Sequence, residues 1–267
     1  MKKLSKVYVG LILMFLYVPI FVLIVFSFNE TKSRSVFSGF TLDWYARLFN
    51  NDIIISSLVN TLIIAILASI ASTILGTLAA IGINGMKKVP KAVIMNVTNM
   101  PIINPEIVTG VSLMLLFVFF AARMHLEFGF VTLLIAHITF DVPYVILNIM
   151  PKFKQMDPHL YEAAQDLGCS PFQAFKKVIL PEIMPGIISG FLMAFTYSLD
   201  DFVISYFTSG STSQTLPITI YSMTRRKISP EINALSTLIF VAVVVVLIVK
   251  NIIENRQAKK LGLYRGK

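Results

Sequence analysis

Residues 157–185 read DPHLYEAAQDLGCSPFQAFKKVILPEIMP, the only long polar stretch in the second half of an otherwise apolar sequence. Asp157 is suited to cap a helix with Pro158 in its first position. Gly168 is well placed to end that helix, because glycine is common just after helix C-termini. The first half of the stretch therefore predicts one short, capped helix.

The second half of the stretch predicts another helix. Ser170 and Gln173 have the spacing of a capping box, in which each side chain bonds the other residue's backbone N–H. Leu180-Pro181 and Pro185 are expected to stop this helix. Two short capped helices in succession favour a docking surface for another protein, and an ordinary cytosolic loop with some helix is the alternative.

The same stretch resembles the EAA loop of ABC-importer permease subunits. The residues that carry the resemblance, in the family's spacing, are Glu162, Ala163, Ala164, Gly168, Val178, Leu180 and Pro181. Val178 stands where the family usually has isoleucine. The resemblance implies that the loop is cytoplasmic and inserts into a groove of an ATPase subunit, with the alanines and Gly168 allowing close contact.

The composition indicates a membrane protein, since 56% of the 267 residues are hydrophobic and 14% are charged. Soluble domains average about 25% charged residues. The single cysteine, Cys169, excludes an internal disulfide and a multi-cysteine metal site. The three histidines have no ligand spacing, and no GxxxxGK[ST] phosphate loop occurs. We therefore expect no metal, no cofactor and no enzymatic activity in this chain.

Six apolar segments approach the roughly 20 residues that a membrane-spanning helix needs. The predicted spans are residues 7–28, 58–81, 92–122, 128–150, 186–207 and 232–249. Pro101, Pro105 and Glu106 interrupt the third of them. Helices are predicted throughout, because only closed barrels offer another way to satisfy the backbone in lipid. The chain is thus predicted to be one all-α integral membrane domain, residues 1–267.

The positions of the basic residues predict the orientation of this domain. With the N-terminus inside, sixteen of the 23 Lys and Arg residues fall in the tails and inner loops. Cytoplasmic loops carry such an excess. Both termini and residues 157–185 are therefore predicted to be cytoplasmic, and the resemblance to ABC-importer permeases implies a bacterial inner membrane. The net charge of +9 then needs no nucleic-acid partner to explain it.

The first outer loop contains a predicted amphipathic helix. Apolar residues at positions 44, 45, 48 and 49 share one helical face. Trp44, the only tryptophan, is expected to anchor this helix at the membrane interface. The alternative is that its ring forms an aromatic face for a cationic ligand.

Four carboxylates, Glu106, Asp141, Asp200 and Asp201, fall inside predicted spans. Insertion scales assign about 2.5–3.5 kcal/mol to such a residue at a helix centre. No Lys or Arg in these spans can neutralise them. At about 1.5 Å of rise per residue, Glu106 and Asp200 both lie about 21–22 Å above the cytoplasmic edge. Asp141 is predicted to lie nearer the inner side.

This level is rich in hydrogen-bond acceptors, because the proline-broken third span adds free carbonyls. Asn104, Tyr197 and Ser198 are predicted nearby. Such a pocket suits a ligand with several ammonium groups. Asp200 and Asp201 point about 100° apart on a helix, so only one need face the path. Alternatively, some of these acids are protonated or bonded to neighbouring helices, with His137 as the partner of Asp141.

Three further stretches resemble permease subunits of bacterial spermidine/putrescine ABC importers. They are SLDDFVIS at residues 198–205, LPITIYSM at 216–223 and SPEINAL at 229–235. The Trp44-Tyr45 segment and Asn104-Pro105-Glu106 also fit, although relatives typically have Asp at the last position. The resemblance, over residues 8 to 250, implies a second homologous permease, two ATPase subunits and an external polyamine-binding protein as partners.

The sequence therefore predicts an ABC-importer permease of type I architecture with cytoplasmic coupling helices. Its expected cargo is a polyamine, and which polyamine it prefers is left open. The candidate path residues are Trp44, Glu106, Asp141, Tyr197, Ser198, Asp200 and Asp201. Two alternatives remain: an ABC permease for another cargo, and an ion-coupled transporter or channel that uses the buried acids as a proton relay.

Overall fold

The computed structural model describes residues 2–31, 36–124, 127–226 and 230–241, with residues 244, 245 and 248. In these ranges the chain is almost entirely helical, and the one β-bridge joins Asn29 and Phe40. The α-helices are α1 (Lys2–Phe26), α2 (Asp43–Phe49), α3 (Asp52–Asn84), α4 (Lys88–Ile103), α5 (Glu106–Met124), α6 (Phe130–Gln155), α7 (Leu160–Asp166), α8 (Pro171–Ala174), α9 (Leu180–Asp200), α10 (Val203–Thr208), α11 (Leu216–Arg226) and α12 (Pro230–Val241). A π-helical turn, Phe175–Ile179, joins α8 to α9.

Five helical segments in this part of the chain are long and apolar enough to cross a membrane. They are Lys6–Phe26, Asp52–Asn84, Glu106–Arg123, Phe130–Gln155 and Pro171–Asp200. The predicted sixth span, residues 232–249, begins in the shorter apolar helix α12 and ends outside the described residues. Several basic residues used to predict the orientation also lie outside them: Lys32, Arg34, Lys227 and those from Lys250 to Lys267.

The chain forms two compact units. One combines the segment up to Ile55 with the segment from Ile220 onward, and the other is Ser56–Thr219. In the second unit α6 and α9 form the most extensive helix pair. They approach closely at two glycines of α9, since a Cβ on Gly186 would lie 2.9 Å from the Asn148 carbonyl oxygen. Small residues at such contacts are typical of helix packing in membranes.

Two apolar clusters stabilise the second unit. The larger one joins α3, α6, the π-helical turn and α9, and contains Ala80, Ile83, Val145, Ile146, Ile149, Met150, Phe153, Ile179, Ile183 and Ala194. The smaller one joins α5, α6 and α10, and contains Leu113, Phe117, Ala136, Phe140 and Ile204. α6 contributes to both clusters, so it is the central helix of this unit.

The expected stop at Leu180-Pro181 and Pro185 is wrong. The chain stays helical from Pro171 to Asp200, and Pro185 lies inside α9. Proline lacks an N–H and clashes with the carbonyl four residues earlier. The π-helical turn Phe175–Ile179 lies just before Pro181 and widens the helix there, which relieves the clash.

Candidate functional site

The third predicted span is divided at Asn104 and Pro105, so that α4 ends at Ile103 and α5 begins at Glu106. Asn104 has an extended backbone (φ −70°, ψ 141°), as expected for a residue before proline. Pro101, by contrast, lies inside α4. The break leaves Glu106 in the first turn of α5, where a carboxylate is favoured by the helix dipole.

A second break divides the fifth predicted span, which the sequence indicated to be continuous from 186 to 207. α9 ends at Asp200, and Asp201 is extended (φ −61°, ψ 122°). The Asp201 carboxylate accepts the backbone N–H of Ile204 at 3.3 Å and of Ser205 at 2.7 Å. It therefore caps α10 and satisfies N–H groups that a helix start leaves free.

The two breaks open into one cavity of about 240 Å³ within the second unit. Its lining consists of Pro101, Glu106, Thr109, Phe140, Tyr144, Tyr197, Asp200, Asp201, Phe202, Val203 and Ile204. This set contains three carboxylates and no Lys or Arg. In the part of the chain that the structure describes, no three His, Cys, Asp or Glu side chains are grouped to hold a metal ion. The cavity is thus an acidic site without a neutralising protein cation among its lining residues.

The adjacent acids Asp200 and Asp201 have different surroundings. Asp200 is exposed, and it lies close enough to Glu106 and Asp201 to interact with both charges. The Asp201 side chain is only 6% exposed and is turned towards α10. The two side chains point in different directions because the helix breaks between them. Asp200 is therefore the acid that is available to a ligand, whereas the Asp201 carboxylate accepts backbone N–H groups of α10.

Two tyrosines form an aromatic wall of the cavity. The Tyr144 and Tyr197 rings are tilted, with centroids 4.4 Å apart. Tyr197 was expected in the pocket from its position before the two aspartates, whereas Tyr144 was missed. The sequence could have indicated Tyr144, because it follows Asp141 by three residues on the same helix and residues three apart share a helix face.

A buried polar network lies behind the cavity. His137 is fully buried; its Nδ1 lies 2.5 Å from the Ser198 hydroxyl and its Nε2 2.9 Å from the Ser205 hydroxyl. The same Nε2 lies 3.6 Å from an Asp201 carboxylate oxygen. The expectation that His137 is the partner of Asp141 is therefore wrong, because both ring nitrogens have partners on α9 and α10.

Asp141 is fully buried on α6, one turn from His137. Within the described residues, neither carboxyl oxygen has a hydrogen bond of good geometry, although the Ser198 hydroxyl is near enough to interact. Burial of an unpaired carboxylate is costly. Asp141 therefore lies behind the cavity and not on its surface.

Trp44 belongs to the other unit, where it is 5% exposed in α2. Its indole N–H donates to the Asn29 carbonyl at 2.7 Å, and the Arg47 guanidinium lies 5.1 Å from its ring centroid. A side chain of this same loop thus already occupies the face that an external cation would need.

The stretch 157–185 starts with a turn, in which the Asp157 carboxylate accepts the His159 N–H at 2.9 Å and α7 begins at Leu160. Gly168 has a φ of +86° and follows the end of α7, as predicted. The capping box of Ser170 and Gln173 is confirmed, with bonds of 3.3 and 3.1 Å.

The residues of the EAA pattern do not share one environment. Glu162 and Ala163 are exposed on α7, whereas Ala164 is buried. Leu180 is half-buried and Pro181 exposed at the start of α9. Two apolar side chains outside the EAA pattern are largely exposed, Leu167 by 87% and Phe172 by 72%. Their signal was apolar character within a polar stretch, which is typical of a protein contact.

Comparison with known families gives one match to most of the chain. Residues 72–262 match the family described as "Binding-protein-dependent transport system inner membrane component". The spermidine/putrescine transport system permease protein PotC of Shigella flexneri is 36% identical over 248 residues, covering 93% of this chain and 92% of that protein. The putrescine transport system permease protein PotI of Escherichia coli (strain K12) is 41% identical over 243 residues, covering 87% and 84%.

Solved structures with a similar fold are also transporters. A crystal structure of a bacterial ABC transporter involved in the import of the acidic polysaccharide alginate aligns with a TM-score of 0.69 at 14% identity, covering 95% of each chain. A crystal structure of an amino acid ABC transporter aligns with a TM-score of 0.52 at 22% identity, covering 78% of this chain and 98% of that one. At these identities the likeness concerns the fold alone.

Proposed function

Because the chain belongs to the family of binding-protein-dependent transport system inner membrane components, we propose that it is the permease subunit through which an ABC importer passes polyamines. It is a membrane transport subunit and not an enzyme. ATP hydrolysis takes place in a partner, and the task of this chain is to hold the cargo and change its access from one side of the membrane to the other.

The acidic cavity is the observation that carries the choice of cargo. Glu106, Asp200 and Asp201 line it together with two tyrosines, and no Lys or Arg is among its lining residues. A polyamine supplies several ammonium groups, each of which can donate hydrogen bonds to carboxylates. The Tyr144 and Tyr197 rings offer faces that attract a cation. The names of PotC and PotI, which refer to spermidine and putrescine, agree with this choice.

The candidate path residues have three different roles in this proposal. Glu106, Tyr197 and Asp200 contact the cargo directly, with Tyr144 as an addition to the predicted set. Asp141 and Ser198 lie behind the lining, and Asp201 lines the cavity but is turned onto α10, so these three shape the site. Trp44 stands apart and stabilises the first outer loop. The carboxylates must release the cargo as well as bind it, so each contact should be weak by itself.

The stretch 157–185 is the proposed contact with the ATPase. Exposed Leu167 and Phe172 would fill an apolar groove of the ATPase. The helical segment Pro171–Asp200 then connects this contact to the acid site without interruption. Its 30 residues span about 45 Å at about 1.5 Å per residue. Movement of the contact by ATP binding would therefore displace Asp200 directly.

The family implies a larger assembly. In our proposal this chain pairs with a second homologous permease, binds two ATPase subunits inside the cell, and receives cargo from an external polyamine-binding protein. Both termini would lie in the cytoplasm of a bacterium, in agreement with the distribution of Lys and Arg in the sequence.

Substitution of Asp200 tests the proposed cargo site. We expect Asp200→Asn to lower spermidine and putrescine uptake into proteoliposomes at least tenfold, because it removes the exposed carboxylate while keeping the side-chain shape. The matched control is Asp52→Asn, an exposed aspartate at the start of α3, which should transport normally. Assembly with the ATPase should survive in both. Wild-type uptake by Asp200→Asn would refute the assignment of this acid to the cargo.

A further inference from the structure

His137 connects the two sides of the break beside the acidic cavity. From α6, its Nδ1 contacts Ser198 in the last turn of α9 and its Nε2 contacts Ser205 in the first turn of α10. The ring is fully buried, and its edge packs against Phe140, which lines the cavity.

The ring can hydrogen-bond both helices at once. In either neutral tautomer one ring nitrogen carries a proton and the other a lone pair, and each nitrogen faces a serine hydroxyl that can donate or accept. Nε2 also lies 3.6 Å from an Asp201 carboxylate oxygen, and the Ser198 hydroxyl lies near Asp141. These contacts hold the end of α9 and the start of α10 against α6.

The positions of Glu106 and Asp200 depend on these two helices. Asp200 is the last residue of α9. Glu106 starts α5, which packs tightly on α10: a Cβ on Gly110 would lie 2.9 Å from the Phe207 ring and 3.5 Å from the Ile204 Cα. A change in the angle between α9 and α10 would therefore change the distance between the two carboxylates.

We propose that His137 is a positioning residue that sets the spacing of the Glu106 and Asp200 carboxylates, and that this spacing selects cargo by the distance between its ammonium groups. The inference rests on the proposed function and adds a determinant of specificity to it. An attraction between charges falls with distance, so a fixed pair of acids favours one length of diamine over others.

The test is transport of diamines of graded length by the reconstituted importer. Uptake of three diamines, 1,3-diaminopropane, putrescine and cadaverine, and of the triamine spermidine is compared for wild type, His137→Phe and His137→Gln. Phenylalanine keeps an aromatic ring beside Phe140 but has no hydrogen-bonding group, whereas glutamine keeps a side-chain amide that can donate and accept. We expect His137→Phe to raise the KM of the preferred diamine at least fivefold and to reduce the differences among the diamines to within twofold. kcat should change less than KM, and His137→Gln should retain most of the wild-type preference.

The control is Thr139→Val on the same helix, since this exposed hydroxyl donates to the Ile135 carbonyl of its own helix. Unchanged KM values and an unchanged diamine preference in His137→Phe would overturn the inference. So would a uniform loss for all cargoes that follows the amount of folded protein. If His137→Phe does not assemble, Ser205→Ala replaces it with the same expectation and the same contrary outcomes.

The two proposals fail separately. If wild type transports no polyamine, or Asp200→Asn transports normally, the proposed function is wrong. If wild type transports polyamines, Asp200→Asn loses that transport, and the His137 variants keep the wild-type diamine preference, only the positioning role is wrong.

Discussion

Asp200 and Asp201 illustrate how one backbone break gives adjacent identical residues different roles. The extended conformation of Asp201 turns its carboxylate back onto the N–H groups of α10. This replaces part of the hydration that a carboxylate loses at membrane depth. The Asp200 carboxylate is near its own backbone N–H, and the side chain is exposed in the cavity. Its charge is therefore left for a ligand, and a cationic cargo is the natural source of compensation.

Substitution of Trp44 separates a structural role from a cargo-binding role. We expect Trp44→Phe to lower the thermal stability of the purified chain by about 1–2 kcal/mol, because the Asn29 carbonyl loses the indole N–H. The KM for spermidine should not change, since the ring is almost fully buried and Arg47 lies against it. Melting curves and uptake kinetics measure the two effects.

The comparison for Trp44 is Phe49→Leu on the same helix, where the aromatic side chain is exposed. That change should affect neither stability nor uptake. A raised KM in Trp44→Phe with normal stability would instead support the aromatic face for a cation that the sequence left open.

At the scale of single elements, the turn after α7 depends on Gly168. Its φ of +86° is strained for other L-residues by about 1–2 kcal/mol, although asparagine tolerates it better. Among the described residues beyond its two chain neighbours, no atom lies within 4 Å of an added Cβ, so space is not the constraint. We expect Gly168→Val to reduce co-purification of the ATPase severalfold and Gly168→Asn to keep most of it.

Comparing Gly168→Val with Gly168→Asn separates backbone strain from side-chain size, because valine and asparagine have similar volumes. Equal loss of the ATPase in both variants would contradict the conformational explanation. It would indicate that the partner tolerates no side chain at this position, which is the close contact that the family resemblance implies.

The contact between α6 and α9 depends on Gly186. An added methyl group would lie 2.9 Å from the Asn148 carbonyl oxygen and 3.1 Å from the Ile149 Cα, and these backbone atoms cannot move unless the helices separate. We expect Gly186→Ala to destabilise the chain by about 1–3 kcal/mol in thermal melts, as overpacking does. Gly82→Ala is the control, because nothing lies within 4 Å of its Cβ. A normal melting temperature for Gly186→Ala would show that this helix pair is looser than its contacts indicate.

The sequence predicts some of these elements better than others, for physical reasons. The break at Pro105 follows from proline chemistry, and the capping box at Ser170 from local spacing. The break at Asp201 has neither proline nor glycine, and its capping bonds form only after the chain has turned. Pro181 and Pro185 suggested a helix end, but packing of Ile183 and the π-helical turn outweighs that local preference.

The site was likewise only partly predictable. Glu106 and Asp200 were expected at one level from helix rise, and both line the cavity. His137 was matched with Asp141 because the two are four residues apart on one helix. Its actual partners are 61 and 68 residues away, and only tertiary structure brings them together.

At the scale of the whole molecule, the predicted all-α permease fold is confirmed by the helical structure and its likeness to ABC transporters. The spanning part of α5 buries only 17% of its residues within the chain. Its exposed apolar side chains include Leu115, Val118 and Phe119. In a membrane such faces meet lipid or another helix, and in our proposal the second permease supplies such a helix.

The orientation of the whole chain can be tested with its own single cysteine. Cys169 lies between Gly168 and the α8 capping box and is partly exposed. The excess of Lys and Arg in the same predicted compartment places it in the cytoplasm in our proposal. For the chain expressed without its ATPase, we expect a membrane-impermeant maleimide to label inverted vesicles and not intact spheroplasts.

A second variant gives the opposite pattern and excludes poor access as an explanation. In a Cys169→Ser background, Ala46→Cys places the thiol on the exposed side of α2, in the predicted outer loop. It should react in intact spheroplasts. Reaction of Cys169 in intact spheroplasts would put residues 157–185 outside the cell, where no nucleotide-hydrolysing partner could reach them. The coupling from Leu167 and Phe172 through α9 to Asp200 would then have no source of energy.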